Sequence, residues 1–558
     1  MKNMKKVKKA LALLLCTTLC AGAAVPVLAE ENVVVKESNK EVEQLNVGCI
    51  YQFDVESPYC DLIKYLSYDS FMYANLVRYD ENNEVVPCLC ESFEIAEDGT
   101  AVTFYFKNGI KWHDGTPLTM EDIEFSLNLW IDVLKPSVAL RYMKDVEVLD
   151  ENSIRVNMQS SCAYVFLRHM IMSSAGCVIY PKHIWEGVED LKSFTGKEAM
   201  IGCGPYVYDG YDEEAKTVTF HRFEEYHEGA PSIKTIVFKL YESPESIVMA
   251  YNNKEIDCMY QYAAGLAGTY IPSIEKLNYL DKGEEVNLGG PILVFNFKDT
   301  LMQDLDLRKA VYYALDYNLL AATDGNKYCK PGHKGVISPG NIGYDESLPK
   351  NEQNIKEAEN ILDVAGYVDV DGDGYRDQKD GSKMKIMISP AFSASKGNLY
   401  ERLAQVVVRD LQKVGINAYL DEEVSNADAW KVRYSQNKDF QIALTGCSQG
   451  VAIIDTVNQG LVEKAGVDGT LTWNGTNSTP EYVEIFSKII DSRNPEEYAE
   501  AARESQKYMT DNMVAISLGV EDMFYPYNTE DFTSWSSRSG NGVFSYDTWF
   551  TLQKKIDK

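Results

Sequence analysis

The stretch FKNGIKWHDGTPLTMEDI, residues 106–123, carries the local signals of a strand end, two turns and a helix start. An Asn-Gly dipeptide at 108–109 and an Asp-Gly dipeptide at 114–115 favour tight turns. Thr119 can cap the following helix, because Asp122 stands three residues later as in a capping box. The stretch therefore predicts a strand connected to a helix through a short, turn-rich link.

Strand-like and helical segments alternate on both sides of this stretch. The apolar run ILVFNF at 292–297 predicts a buried strand, and KMKIMIS at 383–389 alternates as a half-buried strand does. Helical periodicity appears at 304–320 and again at 400–414. This mixture of elements predicts an α/β protein.

Length and composition indicate a folded protein of several domains. The 558 residues suggest roughly three or four domain-sized units. Hydrophobic residues make up 45% and charged residues 25%, which excludes a globally disordered chain. Acidic residues outnumber basic residues by 84 to 54, and the net charge of −30 argues against a nucleic-acid partner and against tight binding to anionic lipid.

Residues 1–29 have the three-part pattern of a secretory signal peptide. A basic segment is followed by an apolar run too short to span a bilayer, and Ala29 ends a stretch with small residues at the cleavage positions. We therefore expect cleavage after Ala29, export to the cell surface or periplasm, and a flexible leader over residues 30–46. The alternative is a lipid anchor at Cys20, although Leu19 stands where lipoprotein signals usually have a small residue.

Signatures of enzyme chemistry are hard to find in the sequence. There is no H-E-x-x-H pair, Walker A loop or C-x-x-C pair. None of the six histidines stands at ligand spacing with another, and we interpret His113 as a structural histidine bonded to local backbone. The ten cysteines beyond residue 29 show no metal-ligand spacing, and no disulfide is assigned. We therefore expect a protein that is not an enzyme and requires no cofactor.

Residues 369–380, DVDGDGYRDQKD, have the spacing of a calcium-binding loop, with a glycine at the sharp turn. The predicted ligands are the carbonyl of Tyr375 and the carboxylates of Asp369, Asp371, Asp373, Asp377 and Asp380. The last position of such loops usually holds Glu, and Asp380 is shorter. The alternative is an Asp- and Gly-rich turn without an ion, so a structural Ca²⁺ is a hypothesis here.

Residues 87–94, 97–99 and 106–125 together resemble the signature of the family 5 extracytoplasmic solute-binding proteins, the binding components of peptide and nickel ABC importers. Cys90 replaces an alanine of that signature and Phe93 a tryptophan, while the spacing is nearly kept. Further segments resemble family motifs in the same order, namely GCGPY at 202–206, EYHEGAP at 225–231, KEID at 254–257, FN at 295–296, DLRKA at 306–310, EAENIL at 357–362, AGY at 365–367 with the aspartate loop, WNG at 473–475 and PEY at 480–482. The resemblance runs from about residue 47 to the C-terminus.

The resemblance implies a two-lobed, hinged fold of the periplasmic-binding-protein type with an extra subdomain. On this expectation the core of lobe I comprises residues 47–66, 179–287 and 514–558, the extra subdomain comprises residues 67–178, and lobe II comprises residues 288–513. It further implies a monomer that closes around a small solute and delivers it to an ABC permease in the cytoplasmic membrane.

The resemblance leaves the solute open between a peptide and an oligosaccharide, and an exported sensor or enzyme on this fold is a further alternative. Peptide is expected first, because most of the family carries peptides, although Gly450 stands where peptide-binding relatives often have an Asp for the α-ammonium group. Tyr is frequent, with 36 of 558 residues, and its ring and hydroxyl suit sugars as well as peptides. The few histidines give little support for nickel. The candidate ligand-binding residues are Tyr51, Cys203, Asn296, Trp430, Gly446, Cys447 and Trp473.

Overall fold

The computed structural model describes residues 41–556, apart from several short internal segments. The internal residues outside the description are 133–142, 173–177, 263–264, 287–288, 340, 393–398, 425, 448–460, 462–474 and 539. Within the described part, no helix is both long enough and apolar enough to cross a lipid bilayer.

The α-helices begin and end where caps and apolar periodicity place them. In chain order they are α1 (Asp61–Leu66), α2 (Met120–Asp132), α3 (Ala163–Met172), α4 (Lys182–Trp185), α5 (Pro244–Asn252), α6 (Ile271–Ile274), α7 (Leu305–Ala314), α8 (Tyr317–Gly325), α9 (Ile355–Ala365), α10 (Leu399–Lys413), α11 (Ala427–Trp430), α12 (Pro480–Ile490), α13 (Pro495–Asn512) and α14 (Tyr546–Thr551). Leu403, Val407 and Leu411 are buried at a spacing of four residues on one face of α10, which confirms the helix predicted at 400–414. The predicted helix at 304–320 is interrupted between α7 and α8.

The strands are mostly short. In chain order they are β1 (Val42–Cys49), β2 (Val77–Tyr79), β3 (Val85–Pro87), β4 (Ser92–Ile95), β5 (Ala101–Tyr105), β6 (Met143–Asp150), β7 (Ser153–Met158), β8 (Tyr206–Asp212), β9 (Thr217–Arg222), β10 (Ile233–Leu240), β11 (Cys258–Met259), β12 (Leu280–Asp281), β13 (Glu284–Val286), β14 (Gly290–Phe295), β15 (Cys329–Pro331), β16 (Ile386–Pro390), β17 (Ala418–Leu420), β18 (Ile442–Cys447), β19 (Ala515–Ser517), β20 (Gly519–Phe524), β21 (Tyr527–Asn528), β22 (Phe532–Thr533) and β23 (Gln553–Lys554).

A seven-stranded mixed sheet forms the centre of lobe I, in the order β12-β21-β11-β1-β10-β9-β8. β1 lies inside this sheet and runs parallel to both of its neighbours, with Val47 opposite Phe238 of β10 and Cys258 of β11. Three parallel strands therefore end at the same edge of the sheet.

The flexible leader predicted over residues 30–46 is wrong from Val42 onward. Val42 is buried, pairs with Ile233 and begins β1. The start of this strand looks polar in the sequence because acidic residues alternate with its apolar ones. The structure gives Glu43 a partner, Lys234, with an Nζ–Oε1 distance of 2.7 Å.

A five-stranded sheet forms the centre of lobe II, in the order β17-β16-β18-β14-β19. β16 runs parallel to β17 and β18, whereas β14 is antiparallel to both β18 and β19. The apolar run predicted as a strand at 292–297 is confirmed as β14, whose residues Ile292–Phe295 are all buried. The alternating run at 383–389 is confirmed as a strand and contributes β16.

The sequence analysis predicts that the chain returns to lobe I at residue 514. This boundary is wrong, because β19 still belongs to lobe II. Ser517 pairs with Ile292, so Ala515–Ser517 complete the sheet of lobe II before the chain crosses. The error arises because a three-residue strand carries no periodicity that assigns it to one sheet.

Within the range 67–178, a four-stranded antiparallel sheet in the order β4-β5-β7-β6 packs against α2, and α3 shares its hydrophobic core. Its core includes the fully buried side chains of Trp112 and Trp130. The remaining domain boundaries stay predictions.

The two chain crossings between the lobes lie side by side. β13 leaves the seven-stranded sheet, and β20 returns from β19 of the five-stranded sheet. The two strands are antiparallel, with Glu285 opposite Met523, and β15 of lobe II pairs with β20 on its other side. A short hydrogen-bonded ribbon therefore forms the connection about which hinge rotation would occur.

Candidate functional site

The carboxyl ends of parallel strands are the usual place for ligands in α/β proteins. In lobe I this edge is built by the ends of β1, β10 and β11. The chain continuing from β1 brings Tyr51 to this edge, and the chain continuing from β11 brings Tyr260 and Tyr262.

Five tyrosines, which we call the tyrosine cluster, contact one another at this edge. They are Tyr51, Tyr65, Tyr68, Tyr260 and Tyr262. The rings of Tyr51 and Tyr65 are stacked with centroids 4.6 Å apart, and those of Tyr68 and Tyr262 lie 4.7 Å apart. Tyr51, Tyr65 and Tyr262 are half-buried, so each keeps part of its surface open to solvent. The cluster offers aromatic faces with polar groups at their rims.

Hydrogen bonds fix the rings relative to the backbone. The Tyr51 hydroxyl accepts a bond from the backbone N–H of Tyr262 at 2.8 Å, and the Tyr260 hydroxyl donates to the carbonyl of Tyr65 at 2.8 Å. Burial raises the pKa of Tyr51 and of Tyr262 well above 10, so both phenols stay protonated at neutral pH.

A buried ion pair lies beneath the tyrosine cluster. The carboxylate of Asp69 accepts hydrogen bonds from the guanidinium of Arg538 and the side-chain amide of Asn541, and the Tyr260 hydroxyl lies 3.5 Å away. Asp69 and Arg538 are both less than 5% exposed. Burial raises the pKa of Asp69, and the positive charge of Arg538 opposes that shift. The pair joins the region after α1 to the C-terminal segment of the chain.

The corresponding edge of lobe II is formed where β18 ends, and we call it the glycine edge, for Gly446 and Gly290. Gly446 pairs with Pro291, and Gly290 pairs with Cys447. A Cβ atom at Gly446 would collide with the hydroxyl of Tyr400, and one at Gly290 would lie 2.5 Å from the carbonyl oxygen of Gly519. Glycine is therefore required at Gly290 by the close approach of backbone, whereas a side chain at Gly446 would force the Tyr400 ring to shift.

The structure divides the predicted ligand-binding residues among several places. Tyr51 lies in the tyrosine cluster, whereas Gly446 and Cys447 lie at the end of β18. Trp473 and Gly450 lie outside the described residues, as does the side chain of Cys447.

Cys203 lies in the core and has no exposed surface. The glycines on both sides of it press against the backbone of Phe71 and Met72, where a Cβ atom would collide with carbonyl oxygens. The GCGPY segment therefore acts as a close-packed link in this structure, and no surface of Cys203 is available to a solute.

His113 holds this link in place. Its Nε2 atom lies 2.9 Å from the carbonyl oxygen of Gly204, and its Nδ1 atom accepts a bond from the N–H of Gly202 at 3.2 Å. Burial lowers the pKa of His113 to about 4. The structural interpretation of His113 is confirmed, although the bonded backbone lies about ninety positions further along the chain rather than nearby.

Asn296 and Trp430 belong to the opposite end of the lobe II sheet. Asn296 follows the last residue of β14, whereas Gly446 pairs near the first, so the six-residue strand puts them about 15–20 Å apart. The amide nitrogen of Asn296 donates to the carbonyls of Lys438 and Phe440 at 2.9 and 2.6 Å. Trp430 stacks on Tyr434. Both side chains therefore have structural partners.

Asn296 also lines a surface groove of lobe II with a volume of about 1030 Å³. Charged side chains in this groove are largely paired with one another. Arg433 lies 2.9 Å from a carboxylate oxygen of Asp421 and 3.0 Å from one of Asp439. The sequence analysis did not predict this groove, because its walls come from segments separated by more than a hundred residues.

The aspartate loop, residues 369–380, follows α9. The carboxylate oxygens of Asp369, Asp371 and Asp373 lie within 4.8 Å of one another. Asp377 is buried, and the Asp380 carboxylate instead accepts bonds from the backbone N–H and the hydroxyl of Ser382.

The predicted set missed Tyr65, Tyr68, Tyr260, Tyr262, Asp69 and Arg538. A signal was available for the tyrosines, because the Y-x-Y pattern at 260–262 follows directly after a short strand. For Asp69 and Arg538, which are 469 positions apart, the sequence offers none.

Comparison with known proteins places these features in a family context. The sequence matches one protein-family model, described as bacterial extracellular solute-binding proteins, family 5 Middle, over residues 84–467. The oligopeptide-binding protein AppA of Bacillus subtilis is 28% identical over 397 residues, which cover 68% of each chain. The nickel-binding periplasmic protein of Escherichia coli is 24% identical over 367 residues, which cover 64% of this chain and 67% of that protein.

Solved structures share the fold. The structure of AppA from Bacillus subtilis in complex with a nonapeptide matches with a TM-score of 0.69 at 20% identity, covering 93% of this chain and 100% of the AppA chain. The mixed sheets described above are those of a two-lobed fold of the periplasmic-binding-protein type.

Proposed function

Because the chain belongs to family 5 of the bacterial extracellular solute-binding proteins, we propose that it captures a peptide between its two lobes and hands it to a membrane permease. The substrate-binding role in an ABC transporter is common to its relatives. That the solute is a peptide is the part that we propose. It is supported above all by the tyrosine cluster at the carboxyl edge of the lobe I sheet.

The tyrosine cluster suits an extended peptide for a physical reason. Half-exposed rings bury the apolar side of a ligand, while hydroxyls and backbone groups at their rims bond its amides. AppA, whose structure was solved with a nonapeptide, shares this fold. A peptide is therefore the solute class that best fits both the chemistry of the edge and the family.

Nickel fits the described residues less well. Within the described part, the side chains close enough to share a metal ion are Asp369, Asp371 and Asp373, and no histidine joins them. His113, His227 and His333 are largely buried, and burial lowers the pKa of each. His113 already uses both ring nitrogens on backbone groups.

The proposal also covers export, the oligomeric state and the fate of the bound peptide. The family is extracellular, so the chain is exported. We infer that residues 1–29 are removed rather than that Cys20 carries a lipid, that the mature protein is a monomer, and that the peptide is released unchanged.

The test compares two tyrosines of the cluster with one tyrosine of the groove. Calorimetry of the mature protein with a mixture of tri- to nonapeptides should show saturable binding, and small-angle scattering should show compaction. Tyr262→Ala and Tyr65→Ala should each weaken binding about tenfold or more, since a lost ring contact of ~1.4 kcal/mol has that effect. The matched control is Tyr419→Ala, whose ring is 44% exposed in the lobe II groove and which should bind as the wild type does.

Three results would contradict the proposal. Selective loss of binding in Tyr419→Ala would move the site to the groove. Saturable binding of nickel or of a linear oligosaccharide, together with no binding of any peptide, would show that the solute is not a peptide. A cleaved peptide in the mass spectrum would indicate turnover.

A further inference from the structure

We propose that Arg168, Tyr164 and Tyr498 form a closing contact between the extra subdomain and lobe II, which breaks when the cleft opens and thereby sets how tightly the solute is held. None of the three residues belongs to the tyrosine cluster. The inference rests on the proposed function, because that function requires the lobes to close around a solute.

The hydrophobic core of the extra subdomain continues into lobe II. One cluster of buried side chains includes Leu167 and Ile171 of α3 together with Phe486 of α12 and Ala502 of α13. The chain passes from the extra subdomain to lobe II only by way of the seven-stranded sheet of lobe I. The interface between the extra subdomain and lobe II is therefore made by contacts between side chains, and no peptide link holds it together.

A buried cation lies at the centre of this interface. Arg168 is 1% exposed, and three tyrosine rings surround its guanidinium. The guanidinium lies 5.3 Å from the ring centroid of Tyr79, 5.8 Å from that of Tyr164 and 5.7 Å from that of Tyr498. A cation over an aromatic face is stabilised most where water is excluded. Tyr498 belongs to α13, so lobe II completes the surroundings of a charge that the extra subdomain supplies.

Further contacts surround the cation on both sides of the interface. The rings of Tyr164 and Tyr498 meet edge to face with centroids 5.8 Å apart. The carboxylate of Asp491, at the end of α12, accepts a hydrogen bond from the hydroxyl of Ser160. The closing contact is therefore part of a continuous surface that joins α3 and the turn before it to α12 and α13.

The extra subdomain is bonded to lobe I in a different way, through buried backbone groups. The N–H of Tyr180 donates to the hydroxyl of Ser126 at 2.8 Å, and the N–H of Lys182 donates to the carboxylate of Asp122 at 2.8 Å. His113 adds its two bonds to the link at 202–204. A rotation about the ribbon of β13 and β20 would therefore carry the extra subdomain with lobe I and draw Arg168 away from Tyr498.

The closing contact acts on affinity without touching the solute. The apparent dissociation constant of a solute depends on the fraction of the protein that adopts the binding-competent, closed state. Contacts that exist only in that state raise this fraction, whichever solute is bound. Loss of the contact should therefore weaken the binding of different peptides by the same factor.

The first experiment removes the lobe II ring. Calorimetry of the mature Tyr498→Leu variant with the mixture of tri- to nonapeptides should show binding about tenfold weaker than that of the wild type, by a similar factor for each peptide retained. The matched control is Tyr508→Leu. Tyr508 also lies on α13, but its ring stacks at 5.0 Å on Tyr482 of α12, within lobe II. This control should bind peptide as the wild type does. Wild-type affinity in Tyr498→Leu, or equal losses in both variants, would overturn the inference.

The second experiment links the two sides covalently, in case Tyr498→Leu does not fold. In the Ser160→Cys/Asp491→Cys double variant, a short bismaleimide with a reducible link should trap bound peptide and slow its dissociation at least a hundredfold, until dithiothreitol cleaves the link. The eight described free cysteines are buried, and the wild-type chain treated in the same way is the control for reaction at other thiols. Release of peptide at the wild-type rate from the linked chain would overturn the inference, because the cleft would then open with the contact intact.

Scattering separates this inference from the proposed function. If no form of the protein binds a peptide, the proposed function fails, and the ligand-free double variant still tests the contact. Cleavage of the link should then increase the radius of gyration of the ligand-free chain. An unchanged radius would show that the extra subdomain and lobe II stay together, and the closing contact would be a permanent interface.

Discussion

The tyrosine cluster of lobe I and the glycine edge of lobe II occupy equivalent positions, at the ends of parallel strands, but they are built in opposite ways. The cluster is made of large rings held over the buried pair of Asp69 and Arg538. The glycine edge is made of backbone in close contact with Tyr400 and the carbonyl of Gly519. One surface is filled by side chains, and the other depends on their absence.

This difference indicates how each edge can be damaged. The tyrosine cluster depends on buried polar contacts between distant parts of the chain, so it is sensitive to the loss of a charge or a hydrogen bond. The glycine edge depends on space, so it is sensitive to the gain of a single methyl group. Each of the following predictions tests one side of this contrast.

The largest effect is expected for Asp69→Asn, below the tyrosine cluster. The substitution keeps the shape of the side chain but leaves the guanidinium of Arg538 buried without its ion-pair partner. We expect the free energy of unfolding to fall by about 3–5 kcal/mol, measured by urea denaturation.

The control for this prediction is Asp511→Asn. Asp511 pairs with Lys507 on the surface of α13, with an Nζ–Oδ2 distance of 2.5 Å, and both side chains are exposed. An exposed pair of this kind contributes little, so the urea midpoint should not move. Equal effects of the two substitutions would show that the buried pair does not support the cluster.

A smaller effect, which depends on pH, is expected for substitution of His113. Through Gly204, this residue supports the backbone close to Asp69, below the tyrosine cluster. His113 holds Gly204, whose N–H donates to the carbonyl of Met72 at 2.8 Å, three residues beyond Asp69. The pKa of His113 is about 4 in the folded protein, against 6.5 ordinarily. Between these values the unfolded chain takes up a proton that the folded chain excludes, so stability falls as the pH falls from about 6.5 towards 4.

We expect His113 to account for about 2–3 kcal/mol of this loss at pH 4. The measurement is the urea unfolding free energy at several pH values between 7 and 4. His113→Gln should flatten the profile. An unchanged slope in His113→Gln would assign the acid sensitivity to other groups.

The sequence predicts those parts of this molecule that are determined locally. The buried run of β14 and the spacing of Leu403, Val407 and Leu411 in α10 carry their own periodicity, so both elements were identified. The family signature around residues 106–123 predicted the two-lobed class for the same reason, since its turns and caps are short-range features.

The candidate site was predicted only in part, because contacts between distant segments create it. Tyr51 was identified, but its neighbour Tyr262 reaches it only through the pairing of β1 with β11 in the seven-stranded sheet. Asn296 was grouped with Gly446, although β14 separates them by its full length. The direction of a strand within its sheet decides such groupings, and one sequence does not contain it.

The smallest effect is expected at the glycine edge, for Gly446→Ala. Its added methyl group would meet the Tyr400 hydroxyl, and the strand conformation itself accepts alanine, so the cost arises from crowding alone. We expect a loss of about 1–2 kcal/mol in the free energy of unfolding. The Gly446→Ala/Tyr400→Phe double variant removes the colliding oxygen and should recover most of this loss, whereas Tyr400→Phe alone should change stability less. Such recovery is a coupling between two contacting residues, and a double-mutant cycle measures it. Additive losses would mean that Gly446 is required for a reason other than space, and the contrast between the two edges would then fail on the lobe II side.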